Sequence, residues 1–369
     1  MEPIGLYFHI PFCVAKCPYC DFYSLPASEE VMDRYTDALL RSISLCPYPA
    51  ERADTVYFGG GTPILLGPRR LNRILEKAAQ TFSLTPDAEI TLEANPHSTL
   101  LEALQALRSG GFNRISFGVQ SAVSSQLGML GRRHTAKTAQ QAVEQSRRAG
   151  FSNISVDMML GLPGQTPEDA AVTARFCTGL EVEHISAYLL KIEPATPFAQ
   201  RYREEDLDEE VQAEIYLQTV KQLGEAGYRQ YEISNFAKPG RESRHNLKYW
   251  NCDHYLGFGP SAHSYYRDRR FAFPRDLEGF CGLDNPWALS RQDGQGGSFE
   301  EYAMLRLRLT DGLVFADLRA RYPQVDPAPY LARAARLRGH GLLVQDSDHL
   351  ALTPQGMLLS NAILAQILL

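Results

Sequence analysis

The chain has 369 residues, enough for one large domain and a smaller one; 44% of them are hydrophobic and 22% charged, ordinary values for a globular protein that buries a core without disulfide staples. A formal net charge of −6 argues against a strongly electrostatic nucleic-acid binder, so no nucleic-acid partner is expected. No run of about 18 apolar residues is present, the N-terminus lacks the pattern of a signal peptide, and seven cysteines, odd in number and unevenly spread, do not read as a secreted disulfide framework; a reducing cytoplasm is the expected setting.

Short β-rich runs alternate with amphipathic helical stretches over the first half. Strands are predicted at Gly5–Ile10, Thr55–Phe58, Glu89–Glu93, Arg114–Val119, Asn153–Met158 and His184–Leu189. Between them, helices are predicted near Val31–Ser44, Arg69–Thr81, Leu100–Ser109, Thr135–Ala149 and Pro167–Leu180, with stops at Gly110-Gly111 and Gly150. Such alternation implies an α/β fold with a parallel sheet covered by helices. Six units in about 190 residues fall short of the about 250 that a closed eight-fold barrel takes. The expected architecture for residues 1–200 is therefore an open, partial (β/α)6 barrel. A doubly wound sheet stays open as the second topology, because periodicity does not reveal strand order.

After Leu190 the pattern changes. An acidic helix near Asp208–Ala226 precedes a Tyr-, His- and Gly-rich stretch from Tyr228 to Tyr266, read together as a barrel extension over residues 201–285. Gly279–Gly297, dense in Gly, Pro, Asp and Asn, reads as a linker. Residues 286–369 are expected to form an α+β C-terminal unit. Helices at Phe299–Leu309, Phe315–Tyr322 and Tyr330–Arg338, a hairpin of Leu342–Val344 with His349–Leu352, and a last helix capped by Thr353 resemble a winged helix. From Ser298 to Leu369 seven Arg balance seven Asp plus Glu, whereas a DNA-reading wing is normally basic; a structural or partner-docking role is expected.

The run CVAKCPYC, with Cys13, Cys17 and Cys20, follows directly on a predicted strand. Three thiolates can ligate three irons of a [4Fe–4S] cubane and leave the fourth open to an exchangeable ligand. A structural zinc site with a distant fourth ligand such as His9 is the alternative. Cys46, Cys177, Cys252 and Cys281 are scattered and read as buried thiols. Other strand ends carry polar groups. Gly59-Gly60-Gly61-Thr62-Pro63 closes the second strand, where glycine lets backbone approach a ligand. Glu93, Gln120 and Asp157 fall at or just beyond the third, fourth and fifth strands, and Arg132 follows in LGRRH. Together they place carboxylates and a guanidinium around one mouth.

Seven motifs extend the pattern: LYFHIPFCVAKCPYCDF (Leu6–Phe22), GGGTP (Gly59–Pro63), LEANP (Leu92–Pro96), FGVQS (Phe117–Ser121), DMMLGLPGQT (Asp157–Thr166), HNLKYW (His245–Trp250) and YLGFGPSAHS (Tyr255–Ser264). With them the chain resembles the radical SAM (S-adenosylmethionine) superfamily, its coproporphyrinogen-oxidase-like branch, and within that branch the haem-chaperone group. The resemblance implies a [4Fe–4S] cluster on Cys13, Cys17 and Cys20. SAM then chelates the open iron and is cleaved by one electron to methionine and a 5′-deoxyadenosyl radical. It also implies a SAM site lined by Tyr7, Tyr19, Gly60, Gly61, Thr62, Glu93, Gln120, Arg132 and Asp157.

Two features point within that branch to the chaperone group rather than the oxidase. The oxidase has a further cysteine two residues after its third cluster cysteine, where Cys20 here is followed by Asp21 and Phe22. HNLKYW fits an HNxxYW motif linked to haem binding, with His245 as axial ligand and Tyr249 and Trp250 as flat faces for a porphyrin. The implied function is a cytoplasmic haem chaperone that binds haem and delivers it to haem-accepting respiratory proteins, with a homodimer and a peripheral membrane association. The alternative is an oxygen-independent coproporphyrinogen III oxidase of porphyrin biosynthesis. A winged-helix regulator is disfavoured by the neutral C-terminal charge.

Overall fold

The computed structural model describes residues 2–49 and 51–368. Six strands carry the first half: β1 (Ile4–Ile10), β2 (Arg52–Gly60), β3 (Ser83–Ala94), β4 (Arg114–Gln120), β5 (Ile154–Leu160) and β6 (His184–Leu189). Between them run α1 (Glu29–Ser44), α2 (Pro68–Thr81), α3 (Leu101–Ser109), α4 (Ser124–Met129), α5 (Ala136–Arg148) and α6 (Pro167–Gly179). Local chemistry sets the helix ends. The Ser28 and Thr135 hydroxyls accept the N–H groups of Val31 and Thr138, and Thr166 exchanges reciprocal bonds with Asp169. Gly111 and Gly150, at φ of 111° and 94°, turn the chain out of α3 and α5.

The strands β1 to β6 lie side by side in sequence order, each parallel to the next. A doubly wound sheet reverses its order at a switch point. Here there is no reversal, so the partial (β/α)6 barrel holds and the second topology falls.

Over the described residues the sheet grows to twelve strands. After α7 (Glu209–Glu225), β7 (Arg229–Gln230) and β8 (Asn235–Ala237) add antiparallel beside β6. After α8 (Arg244–Trp250), β9 (Tyr255–Phe258) lies parallel on the outer side of β1. Then β10 (His263–Tyr266), β11 (Arg269–Ala272) and, past α9 (Leu277–Gly282), β12 (Arg291–Gln295) continue antiparallel. The expected linker Gly279–Gly297 is therefore corrected: it holds the end of α9 and the edge strand β12. All five residues of β12 are exposed and polar or glycine, the composition by which an edge strand avoids further pairing and also the composition of a loop.

Alternate residues of the parallel strands part into two sets. Ile115, Phe117 and Val119 on β4, Val156 and Met158 on β5, and Ile185 and Ala187 on β6 enter the main hydrophobic core. Their neighbours Arg114, Ser116, Ser155, Asp157, His184 and Ser186 line a cavity of about 890 Å³. The helix-covered face is apolar and the lumen is polar.

The remaining elements are α10 (Phe299–Arg306), β13 (Leu313–Val314), α11 (Phe315–Arg321), α12 (Ala328–Leu337), β14 (Leu343–Gln345), β15 (His349–Leu352), α13 (Pro354–Leu358) and α14 (Ser360–Leu368). Their small sheet runs β13-β15-β14, antiparallel throughout. From α10 to β15 the order helix–strand–helix–helix–strand–strand is that of a winged helix, as expected. Thr353 caps α13 by accepting the Gly356 N–H. The unit is tied to the barrel by Ile233 N–H to the Arg308 carbonyl and Thr310 N–H to the Tyr231 carbonyl, both at 3.0 Å. Among the described residues no helix is long and apolar enough to cross a membrane.

The loop after β1 is pinned to the exit of β2. Gly61 N–H donates to the Ile10 carbonyl at 2.9 Å and Thr62 N–H to that of Phe12 at 2.7 Å. A Cβ on Gly61 would stand 2.5 Å from the Phe12 carbonyl oxygen and 2.9 Å from that of Ile10, so the approach requires glycine. Gly61→Ala is predicted to cost about 1–3 kcal/mol of stability, read as a lower urea midpoint at unchanged slope. A wild-type midpoint would show that the two segments are not in tight contact.

Candidate functional site

The cysteine loop leaves β1 at its C-terminal end and is held at both sides. Cys13 N–H donates to the Leu25 carbonyl at 3.1 Å, and Leu25 N–H to that of Pro11 at 3.0 Å. Phe12, fully buried, packs edge-on against Tyr35. Cys13, Cys17 and Cys20 are half-buried free thiols, and burial pushes the Cys20 thiol up. Cys46, Cys177 and Cys252 are buried away from the loop, while Cys281, expected to be buried, is only partly so.

His9 does not join them. Its Nδ1 meets the Tyr7 hydroxyl at 3.0 Å, its Nε2 the Tyr23 carbonyl at 2.9 Å, and burial lowers its pKa to about 4. Among the described residues no three His, Cys, Asp or Glu side chains converge on a point that would hold a single ion.

A chain of polar contacts joins the loop to the strand ends. The Cys13 thiol lies 3.5 Å from Thr62 Oγ1, which accepts from Asn95 Nδ2 at 3.0 Å. Asn95 Oδ1 accepts from Arg132 Nη1 at 3.0 Å, and that same nitrogen stands 3.7 Å from Cys17 Sγ. Arg132 Nη2 donates to the Gly118 carbonyl at 3.0 Å, and its Nε is enclosed without a partner. A Cβ on Gly118 would run into that guanidinium, so the glycine is what lets Arg132 cross β4. Gln120, at φ 69° beside a register shift between β4 and β5, accepts the Tyr188 hydroxyl at 2.7 Å. A non-glycine residue held in the left-handed region costs of order 1 kcal/mol and marks a position fixed by its surroundings.

The carboxylates sit on the inner wall. Glu93 accepts the Tyr57 hydroxyl at 2.7 Å and the Gly60 N–H at 3.2 Å; burial, with Asp157 adding, raises its pKa to about 7. Asp157 accepts from Ser116 Oγ at 3.2 Å and is likewise raised by burial. Tyr7, Tyr19, Glu93 and Asp157 line the cavity; Thr62 and Arg132 stand beside Cys13 and Cys17, while Gly60 and Gln120 are bonded to the cavity-lining Glu93 and Tyr188. The Gly60 N–H goes to the Glu93 carboxylate and that of Gly61 to the Ile10 carbonyl.

His245 lies inside the fold. It is 1% exposed, its Nδ1 meets Thr55 Oγ1 at 2.8 Å and its Nε2 the Tyr249 hydroxyl at 2.8 Å, and its ring stacks on Tyr57. Burial, aided by Lys248, drops its pKa to about 3. Both ring nitrogens are thus engaged within the protein. Tyr249 and Asn246 reach the cavity, and His263 and the 66% exposed Phe22 stand on its rim.

Sequence reasoning missed Asn95, the link between Thr62 and Arg132, although it sits inside the LEANP motif two residues past Glu93. It also missed Arg114, whose only signal was its place one step out of phase with Ile115, Phe117 and Val119.

Comparison with known proteins agrees with this architecture. The family model described as the radical SAM superfamily matches residues 7–177, and one described as the HemN C-terminal domain matches residues 299–359. The chain is 35% identical to a protein named heme chaperone HemW from Mycobacterium tuberculosis, over all of this chain and 95% of that one. It is 34% identical to heme chaperone HemW of Escherichia coli, over 99% and 98%. The solved structure of coproporphyrinogen III oxidase (HemN) from Escherichia coli, a radical SAM enzyme, matches with a TM-score of 0.85 at 25% identity, over 99% of this chain and 90% of that one. Strand order, cysteine loop and full-length similarity converge: the chain belongs to the radical SAM superfamily, in the family whose members carry the name heme chaperone HemW.

Proposed function

We propose that the protein holds a [4Fe–4S] cluster on Cys13, Cys17 and Cys20 and binds SAM beside it. In this reading it works as a haem chaperone that passes haem to respiratory acceptor proteins. The observation that carries the chaperone reading is similarity along the whole chain to proteins of that name, at 95–98% coverage of their own length. A cytoplasmic setting, a homodimer and peripheral membrane contact belong to the same reading.

The residues present fit the groups. Arg132 puts a fixed positive charge beside the Cys17 sulfur. Glu93 offers an anion for an amine, and Thr62 and Asn95 give Arg132 its orientation. When bound, the cluster and SAM supply one-electron chemistry at a sulfonium centre. Tyr188 holds Gln120 at the strand end. A second reading, oxygen-independent coproporphyrinogen III oxidation, is favoured by the structural match to HemN over nearly the full chain.

One anaerobically reconstituted sample tests both. Wild type should bind iron, with thiolate-to-iron absorption that Cys17→Ser abolishes, while making no protoporphyrinogen IX from coproporphyrinogen III with SAM and reductant. Zinc in place of iron would refute the cluster, and enzyme-like turnover would favour the second reading. For haem, His263 is exposed and its side chain makes no hydrogen bond among the described residues. His263→Ala should shift the Soret band. His245→Ala should leave it in place but lose about 1–3 kcal/mol of stability, since it strips partners from Thr55 and Tyr249. The reverse result would mean that α8 opens to receive haem.

SAM binding should also depend on pH with a definite sign. The free-state proton on Glu93, whose pKa is about 7, must leave when a cationic amine arrives, because the amine lowers that pKa. Affinity is therefore expected to fall by up to about tenfold per unit as pH drops below 7. Glu93→Gln should flatten the profile and bind more weakly at pH 8, as calorimetry would read. A sloping Glu93→Gln profile would assign the proton elsewhere.

A further inference from the structure

Arg114 opens β4 and is one of the largest fully buried side chains, 2% exposed. Among the described residues its side chain makes no hydrogen bond and no ion pair, and its Nε is sealed without a partner. It nevertheless lines the 890 Å³ cavity, beside Ser116, Ser155 and His184. Six residue steps along β4 separate its Cα from that of Gln120, roughly 20 Å at about 3.3 Å per residue. Its place on the strand is thus at the end of the lumen opposite to the cysteine loop and Arg132.

A guanidinium is a cation, and a buried charge without a partner is costly. The groups around it are committed elsewhere. Ser155 is bonded to His184 Nδ1 at 2.8 Å and His184 Nε2 to the Tyr231 hydroxyl at 2.8 Å; Ser116 donates to Asp157. Glu93 and Asp157 feel the Arg114 charge but form no ion pair with it, being held by Tyr57, Gly60 and Ser116.

We propose that Arg114 is an anion site on the floor of the lumen, its fork receiving the carboxylate arm of an organic ligand lodged in the cavity. A carboxylate fits better than a phosphate: a lone guanidinium balances one negative charge, and Glu93 and Asp157 face the same space. Haem propionates and simple organic acids both carry such an arm. The haem source rests on the function proposed above, whereas the carboxylate site rests on Arg114 alone.

Fluorescence titration of the full chain with haem and with haem dimethyl ester, and calorimetry with octanoate, test it. Wild type should prefer haem to its ester by about 10- to 150-fold, the value of one charge-assisted hydrogen bond. Arg114→Met should erase that preference and the octanoate binding, and Arg114→Lys, a point charge without the fork, should keep part of both. Arg114→Met should melt at or above the wild-type temperature, because an unpartnered buried charge has been removed.

A lower melting point would make Arg114 a structural counter-charge to Glu93 and Asp157 and overturn the site. So would a haem preference that is absent in wild type or unchanged in Arg114→Met, even though haem binding itself would stand. Octanoate bound through Arg114 without haem binding would sustain the site and refute the haem reading. If Arg114→Met does not fold, Arg114→Lys decides: an undiminished preference overturns the proposal.

Discussion

The close approach of two backbones at Gly61 is the constraint on which the site depends. It holds the exit of β2 within hydrogen-bond distance of the loop that follows β1. That contact brings Thr62 to the Cys13 thiol, Thr62 orients Asn95, and Asn95 aims Arg132 at Cys17. Four strand ends thereby share one polar network, whose starting point is fixed by main-chain bonds. Such anchoring holds reactive groups in place before any ligand arrives. Gly118 plays the matching part on β4, where a side chain would block the path of Arg132.

The polar lumen follows from the way the sheet is covered. Helices α1 to α6 pack one face, so the apolar alternation of each strand is spent there and the inward positions are free to be polar. Enclosure then changes their chemistry. Burial lifts Glu93 to about 7 and raises Asp157, so the wall carries less negative charge than its composition implies. The left-handed backbone at Gln120 shows the same tension, since local preference yields where strand end and site coincide.

What the sequence disclosed follows from this division. The six strands and five of their helices were legible because their outward faces keep strict apolar periodicity, and the cysteine loop because its spacing is chemical. Strand order was not, since no single strand records its neighbour. The edge strand β12, RQDGQ, buries nothing and so carried no period to read. Asn95 and Arg114 act through partners or spaces contributed by other strands, which only the folded sheet brings together.

HNLKYW shows how a motif can carry two kinds of information. The N–H groups of Arg244 and His245 both donate to Glu89 at 3.2 Å, and Lys248 reaches the Pro3 carbonyl and Asp54 at 2.8 Å. A Cβ on Gly5 would press on His245 and Lys248 at 3.1 Å. The motif therefore seats α8 on the first three strands near their N-terminal ends, far from the cysteine loop. Two further residues of the motif, Asn246 and Tyr249, line the cavity. The imidazole thus serves the fold directly and the cavity indirectly. Its bond to Tyr249 holds the hydroxyl of a ring that lines the cavity.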